Sequence, residues 1–312
     1  MRFPGLLGNE GLKLRLSAAG NRLSHCCILE GPEGSGKHTL ARILSAAMEC
    51  EEAGDRPCGV CAACRRVLKG EHPDVITVDS PTATVPIRLI RDMQADAYIK
   101  PNEGARKVYI LPRAQDMQGP AQNALLKLLE EPPGYCAFLL LTTGGDRLLP
   151  TVRSRAVTLS MSPLSRETLR EALLEREPQA DPEALARAMD RSEGYLGAAL
   201  ELLHTRDPEF DGRLESLSSA LASGDELALY TAFTGLEKLK RPDLLSLLSA
   251  LRRLCVRAMD PGSIPTAESR LLSGQRSRKQ LFDAAEALEE AIAMLQANGS
   301  AGHAIACILA RL

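Results

Sequence analysis

Gly31-Pro32-Glu33-Gly34-Ser35-Gly36-Lys37-His38 follows the apolar run Cys26-Cys27-Ile28-Leu29 and precedes a helical pattern over 39–49. Strand, glycine-rich loop and helix in that order are the setting a phosphate-binding loop requires. Gly31, Gly34 and Gly36 let the backbone turn its N–H groups toward an anion. The helix start adds partial positive charge, and Lys37 is placed to reach terminal phosphates. The position after the lysine departs from the pattern. A Ser or Thr hydroxyl ligates magnesium there, but this chain has His38, with Thr39 one residue later, about 100° further round a helix. The candidate cofactor contacts are Gly31, Gly34, Ser35, Gly36, Lys37, His38 and Thr39, in a loop able to hold phosphate and poorly equipped to hold the metal.

Outward from this loop, short apolar runs alternate with helical patterns. Strands are expected at 75–79, 107–111, 138–143 and 157–159, and helices over 87–97 and 121–131, the second stopped by Pro132-Pro133-Gly134. Alternation of this kind argues a parallel sheet covered on both faces, with ligands at the carboxyl ends of its strands, where the glycine-rich loop falls. Residues 148–155 read as a polar turn. Beyond Pro163 no strand is expected. Short helices are expected at 165–176, 182–191 and 196–203, then a linker at 207–212, then leucine stripes of helical spacing to the end of the chain. Those stripes read first as the core of a helical bundle. The run Arg276-Ser277-Arg278-Lys279 reads as a solvated turn or helix start.

Four of the nine cysteines are clustered. Cys50, Cys58, Cys61 and Cys64 have the spacing C-x7-C-x2-C-x2-C, and four thiolates suit a tetrahedral zinc ion. All four ligands would be protein sulfur, leaving no open position, so the zinc is expected to be structural. Cys26, Cys27, Cys136, Cys255 and Cys307 lie in apolar runs and read as buried fillers. The 312 residues suggest two or three domains. A formal net charge of -2 excludes a global basic field for nucleic acid. No stretch reaches a membrane span, and the start of the chain lacks a secretion-type apolar run, so a cytoplasmic location is expected.

Three further stretches give the chain a family likeness: Gln122-Asn123-Ala124-Leu125-Leu126-Lys127-Leu128-Leu129-Glu130-Glu131-Pro132-Pro133, then Leu149-Pro150-Thr151-Val152-Arg153-Ser154-Arg155, and the cysteine module inserted after the helix of the glycine-rich loop. Together with that loop they resemble the bacterial clamp-loader subunits of the AAA+ class, in order, over nearly all of residues 1–205. The resemblance implies an α/β AAA+ P-loop domain with a parallel sheet at 1–163 carrying the zinc module 50–64. A small helical lid at 164–206 and an all-α collar that builds the oligomer at 207–312 would follow.

Within that family the chain looks like an accessory subunit. Motor subunits have Asp-Glu-Ala directly after the strand at 107–111, and this chain has Pro112-Arg113-Ala114. The family often places an arginine in a Gly-x-x-Gly-Arg-Ala pattern of the lid. Here Gly194-Tyr195-Leu196-Gly197-Ala198-Ala199 puts Ala198 at that point. With His38, three features of a hydrolytic site are missing. Asp79 is the remaining acidic candidate for the metal, and the resemblance puts its strand elsewhere in the sheet. Thr142 and Thr143 fall where the family has a sensor.

What the resemblance leaves in place is Arg155, which in the family reaches into the nucleotide site of the next subunit; Arg153 is an equal candidate on residues alone. The implied function is an accessory, hydrolysis-deficient subunit supplying an arginine in trans. Its implied partners are gamma- or tau-like motor subunits, a delta subunit and, through the complex, a sliding clamp and primed DNA. Nucleotide held in the loop without turnover stays open. Two alternatives compete with this reading. One is an active ATPase motor of the same loader or of another AAA+ machine, marked by turnover dependent on Lys37. The other is a zinc-dependent nucleic-acid-binding protein, which the near-neutral charge and the lack of aromatics in 50–64 disfavour.

Overall fold

The strand that leads into the glycine-rich loop is an inner strand of a five-stranded sheet. β1 (Cys26–Glu30) lies between β4 (Cys136–Thr142) and β5 (Val157–Ser160), and β3 (Lys107–Leu111) and β2 (Val75–Thr77) continue beyond β4. All four pairings are parallel, with Cys26 opposite Phe138 and Glu30 opposite Thr142. The computed structural model describes residues 1–19, 23–205, 207–260 and 266–312.

β3 and β4 are buried along their whole length, which is why they read as continuous apolar runs without alternation. The alternation is present but sorts residues between two buried faces. Cys26, Ile28, Tyr109, Leu111, Phe138 and Leu140 pack on α4 (Ile87–Ala97) and α5 (Gly119–Glu130). Cys27, Leu29, Val108, Ile110, Leu139 and Leu141 pack on α1 (Glu10–Ala19) and α2 (Lys37–Glu49). Tyr109 stacks on Phe138 at 5.5 Å between centroids, and its hydroxyl donates to Asp96 Oδ2 at 2.7 Å. Asp96 Oδ1 also takes the buried Lys107 ammonium at 2.9 Å, so the one cation inside β3 is paired. The region read as a polar turn contains a four-residue helix, α6 (Pro150–Arg153), held down by the fully buried Val152. A further helix, α3 (Ala62–Lys69), carries the last cysteine of the cluster.

The described residues form two compact units, Met1–Leu169 with Tyr195–Ala198, and Arg170–Gly194 with Ala199–Leu312. The second contains only helices: most of α7 (Arg166–Arg176) and of α9 (Leu196–His204), and all of α8 (Pro182–Arg191), α10 (Pro208–Ser223), α11 (Glu226–Thr234), α12 (Arg241–Met259), α13 (Ala267–Gln275), α14 (Arg278–Gln296) and α15 (Ala301–Leu309). Leu244, Leu248, Leu251, Leu281, Leu288 and Ile292 are its central contacts, and α12 and α14 are its two longest helices.

The segment 207–212, read as a linker, is the first turn of α10. Asp207 caps it by accepting from Phe210 N–H at 3.0 Å, and Pro208 stands at the position where a missing N–H costs nothing. The basic run at 276–279 is the start of α14, with a Ser277–Gln280 capping box, and Arg276 Nε donates to Leu221 O at 2.6 Å. α8 is tied to α12 by the Asp190–Arg257 ion pair, whose side chains are only 8% and 3% exposed. Removing one partner of such a pair costs about 3–5 kcal/mol because the other charge stays buried. No described helix is long and apolar enough to cross a membrane.

Candidate functional site

The loop between β1 and α2 has the backbone of a phosphate cradle. Gly34 and Gly36 sit at φ 70° and 93°, in the left-handed region that favours glycine. Gly36 caps α2 with no side-chain hydrogen bond, so the first N–H groups of the helix are left to an anion. Lys37 is buried and its ammonium donates to Gly31 O and Pro32 O, both at 2.6 Å. Burial lowers its pKa, and Glu33 partly opposes that. The Ser35 hydroxyl is buried and has no hydrogen-bond partner among the described residues.

Magnesium is poorly served. His38 occupies the hydroxyl position. Its pKa is held below the usual imidazole value by burial first, then by Lys37 and Arg42, cations that also oppose a divalent ion. Arg113, where an acidic residue would serve the metal, faces the other acidic candidate. Its Nε and Nη2 donate to Asp79 Oδ1 at 3.2 and 3.0 Å, and Nη2 also donates to Ser80 O and to Thr82 O. Asp79 is therefore held by Arg113. Thr142, where a sensor is expected, spends its hydroxyl on its own turn, donating to Gly144 O at 2.9 Å and accepting from Gly144 N–H at 3.2 Å. Thr143 is exposed.

The start of α9 lies against the loop. Gly197 N–H donates to Gly34 O at 3.0 Å. A Cβ on Gly34 would sit 2.1 Å from Ala198 N, and one on Gly197 would sit 2.7 Å from Gly34 Cα. Ala198, at the expected arginine, thus meets the loop through its backbone. Sequence reasoning used this Gly-x-x-Gly pattern only to look for the arginine and missed why the second glycine is needed.

Arg155 is the middle one of the three residues that join α6 to β5. Nη2 lies 2.8 Å from Glu130 Oε1, Nη1 donates to Thr151 O at 3.0 Å, and the side chain is 36% exposed. Arg153 is exposed, and its side chain has no hydrogen bond or ion pair among the described residues. Gln122 braces this corner. Its amide donates to Met117 O at 3.0 Å and Arg147 O at 3.1 Å and accepts from Leu149 N–H at 2.7 Å. It is 3% exposed with its amide oxygen and nitrogen both engaged, so it fixes the start of α5 to the entry of α6. Residue-level reading missed Gln122, although it lies in the run that carries the family likeness.

The four clustered cysteines converge. Cys50 follows α2, Cys61 caps α3, and Cys64 lies on it. All four Sγ atoms lie within 4.8 Å of one another, and Cys58 and Cys64 are 3.9 Å apart. Thiolates at about 2.3 Å from a tetrahedral zinc would be about 3.8 Å apart, so the donor set fits. N–H groups of Val60 and Cys61 donate to Cys58 Sγ at 3.4 and 3.3 Å, and Cys64 N–H donates to Cys61 Sγ at 3.3 Å. The Cys61 and Val60 N–H groups bring Cys58 down to about 6, whereas burial pushes Cys64 up. The cluster could hold a metal ion, and its four thiols are compatible with structural zinc. Cys26, Cys27, Cys136 and Cys255 are buried thiols pushed up by desolvation, as fillers should be. Cys307 is only half-buried, 3.9 Å from His303 Nε2, because its face of α15 is turned from the bundle core.

Comparison with known proteins adds the family. A family model described as "DNA polymerase III, delta subunit" matches residues 11–165. The chain is 34% identical over 190 residues to DNA polymerase III subunit delta' of Bacillus subtilis, covering 61% of this chain and 56% of that one. It is 34% identical over 234 residues to the delta' subunit of Yersinia pestis, covering 73% and 64%. It is 33% identical over 236 residues to subunit tau of Escherichia coli, covering 72% of this chain and 36% of the relative. The matches thus span from about a third to just under two thirds of these relatives' own lengths.

Proposed function

Because this chain belongs to the delta-prime family of DNA polymerase III clamp-loader subunits, we propose that it is an accessory AAA+ subunit which does not hydrolyse ATP itself and completes a neighbour's site in trans. The observation that carries this reading is Arg113 paired with Asp79 where a magnesium-binding acid would stand. A guanidinium can neither ligate a cation nor accept a proton from water, and here it also pairs with Asp79 and, at 3.8 Å, with Asp116. Phosphate held by Gly31, Gly34, Ser35, Gly36, Lys37, His38 and Thr39 would be bound without turnover.

Arg155 is the group this chain contributes. ATP sits in the adjoining gamma- or tau-like motor subunit. As its terminal phosphoryl group transfers to water, negative charge develops on the equatorial oxygens, and an arginine placed from outside stabilises that charge. The exposed guanidinium on a braced corner suits such a role. Residues 1–163 act as the AAA+ domain, 164–206 as the lid and 207–312 as the collar that joins the ring. A delta subunit completes the assembly, which opens a sliding clamp and sets it on primed DNA during replication. Zinc held by Cys50, Cys58, Cys61 and Cys64 would fix the chain between α2 and α3; with four sulfur ligands it has no open position for chemistry.

The test is Lys37→Ala introduced into this chain alone within a reconstituted loader. Clamp-stimulated ATP turnover by the assembly is expected to stay at the wild-type level, because Lys37 serves no hydrolysing site. Loss of a full site's turnover would favour the motor reading instead.

A further inference from the structure

We propose that Glu130 is a positioning residue for Arg155, an inference that rests on the in-trans role just described. The two side chains come from different elements, each fixed from below. Glu130 ends α5, directly after the buried Leu128 and Leu129. Arg155 follows α6, whose Val152 is fully buried and whose entry at Leu149 is tied to α5 by Gln122. The geometry of the pair is therefore set by the fold and not by two flexible arms meeting in solvent.

The guanidinium is held on two sides. Glu130 Oε1 takes Nη2 at 2.8 Å and Thr151 O takes Nη1 at 3.0 Å. Nη1 also donates to Ser154 Oγ at 3.4 Å. Arginine has five N–H donors in a planar fork, so these three bonds orient the plane and leave two donors for an incoming anion. An arm held this way loses less rotamer freedom when it meets a phosphate. Arg153, two residues earlier, is exposed and its side chain has no such partner among the described residues. Glu130 is 51% exposed, so water screens its charge from a phosphate approaching the other edge of the guanidinium.

The experiment compares reconstituted loaders carrying wild-type chain, Glu130→Gln, Arg155→Ala and the double variant. ATP turnover is measured at saturating and limiting ATP, along with the melting temperature of the isolated chain. Glu130→Gln is expected to lower kcat by about five- to tenfold, with KM for ATP and the melting temperature unchanged, and to have no further effect once Arg155 is alanine. Wild-type or faster turnover in Glu130→Gln would overturn the proposal, a faster rate making the carboxylate a competitor for the arginine. A Glu130→Gln defect that persists in the Arg155→Ala background would also overturn it, since the carboxylate would then act elsewhere. If Arg155→Ala itself turns over at the wild-type rate, the in-trans reading fails, and the positioning role falls with it.

Discussion

Arg155→Ala in a reconstituted loader is expected to slow ATP hydrolysis at the adjoining motor site by about 10³-fold, the lower end of what an arginine supplied in trans contributes in GTPase systems. Binding of ATP by the motor subunits should change little, because the charge that needs the guanidinium develops only as the phosphoryl group transfers. Folding of this chain should change little as well. The Arg155–Glu130 pair is partly exposed, and such pairs contribute about 1 kcal/mol or less. Single-turnover hydrolysis, read separately from nucleotide binding, checks both points. If Arg153→Ala gives the loss and Arg155→Ala does not, the arginine has been assigned to the wrong side of Ser154.

Removing the metal is the second large effect expected. The purified chain should carry one zinc ion. Stripping it with a strong chelator, or changing Cys64 to serine, should unfold the segment between α2 and α3 and lower the melting temperature sharply. Structural zinc contributes about 10–16 kcal/mol of apparent binding free energy in isolated zinc-finger peptides. Cys64 is the informative ligand because it is wholly buried, in a small core with Ala46, Cys50 and Val67. Cys307→Ser, outside the cluster, should change neither metal content nor melting. Metal analysis together with calorimetry tests this, and a metal-free chain that melts like the wild type would leave the cluster without a structural role.

Features legible in the sequence were those written locally. The sheet was readable because β3 and β4 are buried on both faces and so require unbroken apolar runs. The turn between β1 and α2 was readable from glycine spacing, and the cysteine cluster from two tight C-x2-C pairs whose sulfurs do meet. The start of α10 was misread because Asp-Pro followed by Asp-Gly carries turn residues, yet Asp207 is a cap and Pro208 a first-turn residue, roles shared by linkers and helix starts. Features that needed the fold join distant positions. Gly197 meets Gly34 across 163 residues and Arg113 reaches Asp79 across 34. Gln122 holds a segment 27 residues away at Leu149, and Arg155 finds its carboxylate at the end of α5, 25 residues earlier. Local patterning encodes faces and periods, and it does not encode which side chains share a corner. The absence of an acid at 112–113 is visible in the sequence; that Arg113 pairs with Asp79 is not.

The most direct measurement is ATP hydrolysis by the isolated chain, at concentrations high enough for self-association, beside Lys37→Ala. The account predicts no turnover in either protein, with or without magnesium. Turnover by the wild type that is lost in Lys37→Ala would contradict it, and would mean that a metal site is assembled here despite His38, Pro112 and the Arg113–Asp79 pair.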